Sequence, residues 1–190
     1  MGIVITVGGL HGTGKSTYAR ILSEDLELRH MSAGEIFRTM AHARNMSVEE
    51  LNKVAEVDPA IDREIDEKMR SEAAIGKVVL DGQLTAWMAG DKADLKILLI
   101  APKEVRINRL AARDGLNLKE TEDKTLGREE VERERYKIYY GIDVSDPSIY
   151  DLIVDTNLYP LEEMAKILKK IVKDYIGEIT KKGKRLNVPA

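Results

Sequence analysis

The chain has no cysteine among its 190 residues, which excludes disulfides, zinc–thiolate sites and cysteine nucleophiles. Long apolar runs are also missing, because the stretch 95–101 falls far short of the roughly 20 residues that span a membrane. Basic residues are not in excess: the formal net charge is -3, which predicts no electrostatic footprint for nucleic acid or an anionic membrane. We therefore expect a cytoplasmic protein without a nucleic-acid or membrane partner.

The residues that are present predict one α/β domain. The composition is 43% hydrophobic and 33% charged, and no linker or fixed-period repeat divides the chain. Apolar strands are predicted at 3–7, 78–80, 95–101 and 151–154, with a weaker fifth at 28–31. Helices are predicted between them, at 15–26, 35–44, 48–56, 60–74, 103–113, 129–140 and 161–176. This alternation predicts a mostly parallel sheet with helices on both faces. We expect residues 181–184 to be a solvated, frayed end.

The clearest motif follows the first strand and fits the phosphate-loop pattern G-x-x-x-x-G-K-[ST] from Gly9 to Ser16. Backbone N–H groups of such a loop converge on phosphates at the start of the next helix. Lys15 is expected to reach the β- and γ-phosphates of a nucleotide, and the Ser16 hydroxyl to bind Mg²⁺. The predicted nucleotide-binding residues are Gly8, Gly9, Leu10, His11, Gly12, Thr13, Gly14, Lys15, Ser16 and Thr17. The alternative for His11 is that it only fills the loop and takes no part in the chemistry.

A carboxylate ends the apolar run before Gly82. Asp81 is expected to hold the hydration shell of Mg²⁺ beside Ser16, although Asp-Gly after a strand also forms ordinary turns. Further upstream, Ser32 can cap a helix, with Glu35 completing a capping box. Arg38 lies one turn into that helix, where its guanidinium could bind an incoming phosphate.

The phosphate loop, the segment 32–38 and the Asp81-Gly82 strand end, at these separations, resemble the nucleoside monophosphate kinase family, and most closely the compact archaeal-type cytidylate kinases. The resemblance runs from Ile3 to Thr156. It implies a three-layer P-loop kinase fold with a five-stranded parallel core (1–32, 75–112 and 129–176). It also implies a monophosphate-binding segment at 33–74, a lid at about 113–128 and a C-terminal tail at 177–190, all in a single domain. The implied ligands are ATP, Mg²⁺ and CMP or dCMP.

An arginine cluster supplies positive charge, which phosphoryl transfer requires around the transferring group. Arg109 and Arg113 lie one turn apart, and Arg128, Glu132 and Arg135 share one face of a helix. The spacing resembles the R-D-x-x-D-x-x-R stretch of cytidylate kinases, with glutamates replacing the aspartates. That resemblance implies phosphate contacts for Arg128 and Arg135 and an orienting role for Glu132. The predicted catalytic residues are Lys15, Arg113, Arg128 and Arg135. Surface ion pairs on a solvated helix are the alternative.

The acceptor base leaves no simple signature in the sequence. A cytosine pocket needs an acceptor for the exocyclic amine and a donor for the ring carbonyl. Such groups are offered by Asp58, Asp62, Arg63 and Asp66, of which we select Asp62 and Arg63; an ordinary helix surface is the alternative. Many relatives have an arginine after the Asp-Gly strand end, whereas this chain has Gln83, which can hydrogen-bond a phosphate but carries no charge. The predicted substrate-binding residues are Arg38, Asp62, Arg63 and Gln83.

The sequence thus favours an ATP-dependent cytidylate kinase that acts as a monomer. An AMP, UMP or other small-molecule kinase on the same fold is the nearest alternative. A nucleotide-switched binding protein is a further one, but a switch more often recruits its arginine from a partner. A nucleic-acid-binding module is disfavoured by the acidic balance, while a kinase acting on RNA or DNA ends stays open.

Overall fold

The computed structural model describes residues 2–182, and its centre is a five-stranded sheet. The strands are β1 (Val4–Gly8), β2 (Arg29–Ser32), β3 (Val78–Asp81), β4 (Leu95–Ile100) and β5 (Leu152–Asp155). Every neighbouring pair is parallel, and the spatial order is β2-β3-β1-β4-β5. The two central strands β1 and β3 are buried throughout, which explains their continuous apolar sequence. The predicted parallel α/β fold is confirmed.

Helices connect the strands and cover both faces. They are α1 (Lys15–Asp25), α2 (Ala33–Ala43), α3 (Val48–Val57), α4 (Ala60–Ile75), α5 (Thr85–Ala89), α6 (Lys103–Asp114), α7 (Leu118–Tyr140) and α8 (Leu161–Lys182). The short helix α5 was not predicted, because five residues are too few for a helical period to show.

The core is built on both sides of the sheet. On one side, α1 and α8 pack Leu22 and Leu168 against β1 and β4. On the other side, α4 and α5 pack Met69 and Met88 against β3. A separate cluster, which includes Leu51, holds α2, α3 and α4 together. Full burial of one such side chain stabilises the fold by about 1.5–3 kcal/mol.

Two helix boundaries differ from the prediction by more than two residues. The helix α7 begins at Leu118, where the Asn117 side chain accepts a 2.9 Å hydrogen bond from the Glu120 amide. The predicted lid, 113–128, is therefore the corner between α6 and α7 together with the first half of α7. The helix α8 continues to Lys182, so the first part of the predicted tail is helical. Residues 183–190 lie outside the described residues.

The capping prediction at α2 is half correct. The Ser32 hydroxyl accepts a 3.3 Å hydrogen bond from the Glu35 amide, but the Glu35 carboxylate pairs with Arg20 at 3.2 Å instead of closing the box. A complete capping box occurs at α3, between Ser47 and Glu50. In the part of the chain described here, no helix is both long and apolar enough to cross a membrane.

Candidate active site

The carboxyl ends of the strands open into a cavity of about 530 Å³, a size typical of small-molecule sites. Its walls come from the loop between β1 and α1, from α2 and α4, and from the facing sides of α6 and α7. The predicted site residues that line it are His11, Gly12, Gly14, Lys15, Ser16, Thr17, Arg38, Asp62, Asp81, Gln83, Arg113, Arg128 and Arg135. The structure therefore brings most of the predicted residues together.

The remaining loop residues support the cavity from behind. Gly8 ends β1, Leu10 and Thr13 form the turn, and Gly9 has a φ of 135°. A Cβ on Gly9 would lie 2.3 Å from the Leu99 carbonyl oxygen, and one on Gly12, at φ 79°, would lie 2.5 Å from that of Arg106. Only glycine tolerates both the backbone angle and the contact at these positions. The glycines thus let the loop pack directly against β4 and α6.

Lys15 begins α1 and points back across the loop. Its Nζ donates a 2.8 Å hydrogen bond to the Leu10 carbonyl oxygen. Burial lowers the pKa of Lys15 to about 8, although the carboxylates of Asp81, Glu132 and Glu129 oppose the shift. A phosphate beside this amine would stabilise its charged form. Lys15 therefore lies across the loop and lines the cavity.

Asp81, at the end of β3, accepts hydrogen bonds from three side chains. The Ser16 hydroxyl lies 2.9 Å and the Ser32 hydroxyl 3.2 Å from its Oδ1, and His30 Nε2 lies 2.6 Å from its Oδ2. Ser16 and Asp81, the two predicted metal residues, are thus in direct contact. Their hard oxygen atoms fit Mg²⁺, which commonly takes one or two protein ligands and completes its shell with phosphates and water.

Sequence reasoning missed His30. The register of β2 against β3 pairs Ser32 with Asp81, so His30, two residues earlier, projects from the same face of the strand. The signal becomes visible once the strand order is known, and the sequence alone did not supply that order.

Glu132, on α7, connects the phosphate loop with Gln83 and Arg128. Its carboxylate accepts hydrogen bonds from Arg128 Nε at 2.7 Å and Gln83 Nε2 at 2.5 Å, and it lies 2.8 Å from His11 Nε2. Burial opposes the ionised form, but the charges and hydrogen bonds of His11 and Arg128 outweigh it and hold the pKa of Glu132 below its usual range. The predicted Glu132–Arg128 pair is present, and Gln83 donates to Glu132.

A second contact between α7 and the loop was not predicted. Arg106 on α6 donates to Glu129 at 2.6 Å and to the His11 carbonyl oxygen at 2.8 Å. Glu129 in turn accepts a 3.1 Å hydrogen bond from the His11 amide. The backbone of His11 is therefore fixed on both sides by a buried ion pair, and burial lowers the pKa of the His11 imidazole despite Glu132. His11 is an anchoring residue of the loop.

Arg135 has a different partner from the one expected. Its Nε lies 2.6 Å from Asp62 Oδ2 on α4, and its Nη1 donates a 3.2 Å hydrogen bond to the Asn52 side chain on α3. Both members of the ion pair are 5% exposed. Burial raises the pKa of Asp62 to about 6, although the charge of Arg135 opposes the shift. The expectation that Glu132 orients Arg135 is corrected: Asp62 does so.

The other arginines lie around the mouth and rear of the cavity. Arg109 donates 2.8 and 2.9 Å hydrogen bonds to the hydroxyl and carbonyl oxygen of Thr156, and that hydroxyl donates to the Thr13 carbonyl oxygen at 3.0 Å. Arg113 pairs with Asp114 at 2.7 Å and is exposed at the mouth, as is Arg38. Thr156 thus ties the phosphate loop to the end of β5.

Arg63 does not join the site. It is exposed on α4 and does not line the cavity, whereas its neighbour Asp62 is buried within it. Consecutive helical residues point about 100° apart, and here that rotation turns Arg63 to the solvent side of α4. The choice of Arg63 as a substrate-binding residue is withdrawn for this reason.

The parallel sheet, the phosphate loop and the adjoining cavity define a P-loop kinase fold. A solved structure of shikimate kinase from Bacteroides thetaiotaomicron is similar, with a TM-score of 0.62 over 90% of this chain and 98% of that one. At 15% sequence identity, this similarity concerns the fold.

The sequence defines the family. The chain belongs to the cytidylate kinase-like family, whose pattern matches residues 4–158. The cytidylate kinase of Staphylothermus marinus is 43% identical over 176 residues, which cover 93% of this chain and 99% of the relative. That of Aeropyrum pernix is 46% identical over 162 residues, covering 85% of this chain and 94% of the relative. The family predicted from the motifs is confirmed.

Proposed function

We propose that the protein transfers the γ-phosphate of ATP to CMP or dCMP, forming ADP and the cytidine diphosphate. The observation that carries the proposal is the cavity itself, in which the phosphate loop and the acceptor-side residues of α2, α4 and α7 face one another. A donor and an acceptor bound in one cavity can react directly, without a covalent enzyme intermediate. The relatives that match most of this chain bear the name cytidylate kinase.

The donor end is proposed to bind ATP with Mg²⁺. The loop amides and the start of α1 would hold the phosphates, with the Lys15 ammonium at the β- and γ-phosphates. Ser16 and Asp81, 2.9 Å apart, would hold the Mg²⁺ ion or its water shell, and that ion neutralises charge on the phosphates. Arg113, exposed at the mouth, is suited to approach the transferring group as the α6–α7 corner closes.

The acceptor end is proposed to bind the monophosphate. Arg38 and Arg128 would bind its phosphate and align one oxygen with the γ-phosphorus. A bond then forms between that oxygen and the γ-phosphorus, while the bond to the bridging oxygen breaks and its electron pair leaves with ADP. The proposal assigns residues 33–74 and 113–128 to closure over the two ligands, which excludes water from the γ-phosphate. We also propose that the protein acts in the cytoplasm, as a monomer and without a nucleic-acid partner.

An acceptor panel tests this proposal. Diphosphate formation from ATP and Mg²⁺ is followed with CMP, dCMP, UMP, AMP and GMP supplied separately. We expect the highest kcat/KM with CMP or dCMP. A preference for AMP or UMP would identify a different kinase on the same fold. ATP hydrolysis without an acceptor preference would refute the assignment of a monophosphate site.

The Lys15→Ala variant tests whether turnover depends on the phosphate loop. Loss of its charge is expected to lower kcat by about 100-fold or more, because the amine would lie beside the phosphates on which charge develops. Lys170→Ala is the matched control, since Lys170 is exposed on α8 and pairs with Asp174. Near-normal turnover by Lys15→Ala, with the fold intact by circular dichroism, would contradict the assignment of the loop.

A further inference from the structure

A buried ion pair lies behind the phosphate loop. Arg106 on α6 and Glu129 on α7 have side chains that are 6% and 11% exposed. The guanidinium donates to both carboxylate oxygens, with an Nη1–Oε1 distance of 2.6 Å and an Nη2–Oε2 distance of 3.3 Å. Neither residue lines the cavity. Any role of this pair in the reaction must therefore act through another group.

That group is the backbone of His11. Arg106 Nη1 donates a 2.8 Å hydrogen bond to the His11 carbonyl oxygen, and Glu129 Oε1 accepts a 3.1 Å hydrogen bond from the His11 amide. Replacing a buried ion pair with apolar residues of similar volume is often neutral for stability. The packing of α6 against α7 therefore does not require these charges, whereas the two contacts with the loop do.

The bond to the His11 carbonyl oxygen also sets the direction of the next N–H group. The peptide bond between His11 and Gly12 is trans, and in a planar trans peptide the C=O and N–H groups point in opposite directions. Because Arg106 holds the carbonyl oxygen from behind the loop, the Gly12 N–H points away from Arg106. Gly12 lines the cavity, so this N–H is turned to the side from which a phosphate would approach.

Arg106 holds the loop with its backbone as well as its side chain. A Cβ on Gly12 would lie 2.5 Å from the Arg106 carbonyl oxygen, so the backbone of α6 packs directly against Gly12. Rotation of the peptide between His11 and Gly12 would disturb this packing and break the hydrogen bond to the guanidinium. The direction of the Gly12 N–H is thus fixed by two contacts with one residue.

We propose that Arg106 and Glu129 are positioning residues that orient the Gly12 N–H toward the phosphates of the donor nucleotide. The inference rests on the proposed function, because these phosphates are those of its ATP. A hydrogen-bond donor that is oriented before the ligand arrives needs no reorganisation when the ligand binds or when charge develops on it. The pair should therefore affect the binding of ATP more than the binding of CMP.

The double variant Arg106→Met/Glu129→Met tests the inference, because it removes both charges and leaves neither unpaired in the interior. The probe is the ATP analogue with an NH group between its β- and γ-phosphates, and its binding with Mg²⁺ is measured by calorimetry. We expect its Kd to rise by about 10-fold or more, the usual effect of losing a hydrogen bond to a charged group. The KM for CMP should stay near the wild-type value.

Lys103→Met is the matched control. Lys103 also lies on α6 and pairs with a glutamate of α7, Glu122, at 2.7 Å, but both side chains are exposed and the ammonium donates to Glu122 instead of the loop. The control should bind the analogue as the wild type does. If it weakens binding as much as the double variant, the joining of α6 to α7 is what matters, and the inference is wrong.

Amide hydrogen exchange in the wild type, followed by NMR, keeps the test independent of how the variants fold. The His11 amide should be protected without nucleotide, because Glu129 accepts its hydrogen bond. The Gly12 amide should become protected only when the analogue is bound. An unprotected His11 amide, or a Gly12 amide that does not respond to the analogue, would overturn the inference.

The calorimetry separates this inference from the proposed function. If the wild type does not bind the analogue, the proposed function fails and the inference fails with it. If the wild type binds it and the folded double variant binds it equally tightly, the inference is overturned while the kinase function stands. Equal losses for the analogue and for CMP would show that the pair supports the whole site, which also refutes a specific role at the donor phosphates.

Discussion

Replacing Arg135 with methionine removes the charge that Asp62 requires while keeping a long side chain. Asp62 and Arg135 are both 5% exposed, so water cannot take the place of the missing guanidinium. Breaking a buried ion pair by removing one partner costs about 3–5 kcal/mol. The free energy of unfolding of a typical domain is about 5–15 kcal/mol. The Arg135→Met variant is therefore expected to lose a large part of its stability at neutral pH.

The loss should depend on pH in a defined direction. Burial already raises the pKa of Asp62 to about 6 with Arg135 present, and removal of Arg135 raises it further. Because the folded pKa lies above the unfolded one, the cost of the ionised carboxylate is present at high pH. It disappears as falling pH protonates Asp62. The variant should therefore be closer to the wild type at about pH 5 than at about pH 8.

The assay is urea unfolding followed by circular dichroism at both pH values, for the wild type, Arg135→Met, Asp62→Leu and the double variant. The double variant should be more stable than Arg135→Met alone, because no buried charge is left unpaired. A loss below about 1 kcal/mol, which is usual for exposed ion pairs, would refute the reasoning. So would an equal loss at both pH values.

Two further substitutions test other parts of the site. Asp81→Asn should raise the Mg²⁺ concentration needed for half-maximal turnover, because the carboxylate beside Ser16 is lost. An unchanged Mg²⁺ dependence would leave Asp81 with only its contacts to Ser16, Ser32 and His30. Glu132→Gln should be less stable than the wild type near neutral pH. Since the folded pKa of Glu132 is lowered, the wild type gains stability from this group above an unfolded pKa of 4.5 and loses it as pH falls. The difference in unfolding free energy should therefore shrink below about pH 4.5, and a constant difference would argue against an ionised, bonded Glu132.

Most of the fold could be predicted because its signals are local. The strand cores are continuous apolar runs, and the phosphate loop has fixed spacing from Gly9 to Ser16. The start of α7 was missed because its first half, 118–128, has no apolar stripe facing a core, so no helical period marks it. The weak edge strand β2 was placed one residue early, at 28–31 instead of Arg29–Ser32.

The contacts between site residues were harder to predict than which residues belong to the site. Lys15 and Ser16 could be selected from the loop pattern and Asp81 from its place at a strand end, whereas Arg128 was selected through the family resemblance. The contact of His30 with Asp81 and that of Arg135 with Asp62 join elements far apart in sequence. Such pairs depend on strand order and helix rotation, which local patterns do not encode.

Transfer of labelled phosphate tests the central claim most directly. ATP labelled at the γ-phosphate is incubated with the protein, Mg²⁺ and CMP, and the products are separated by chromatography. We expect the label to appear in CDP only when CMP is present, and to be absent with Lys15→Ala. Label recovered as inorganic phosphate at a rate unaffected by CMP would contradict it.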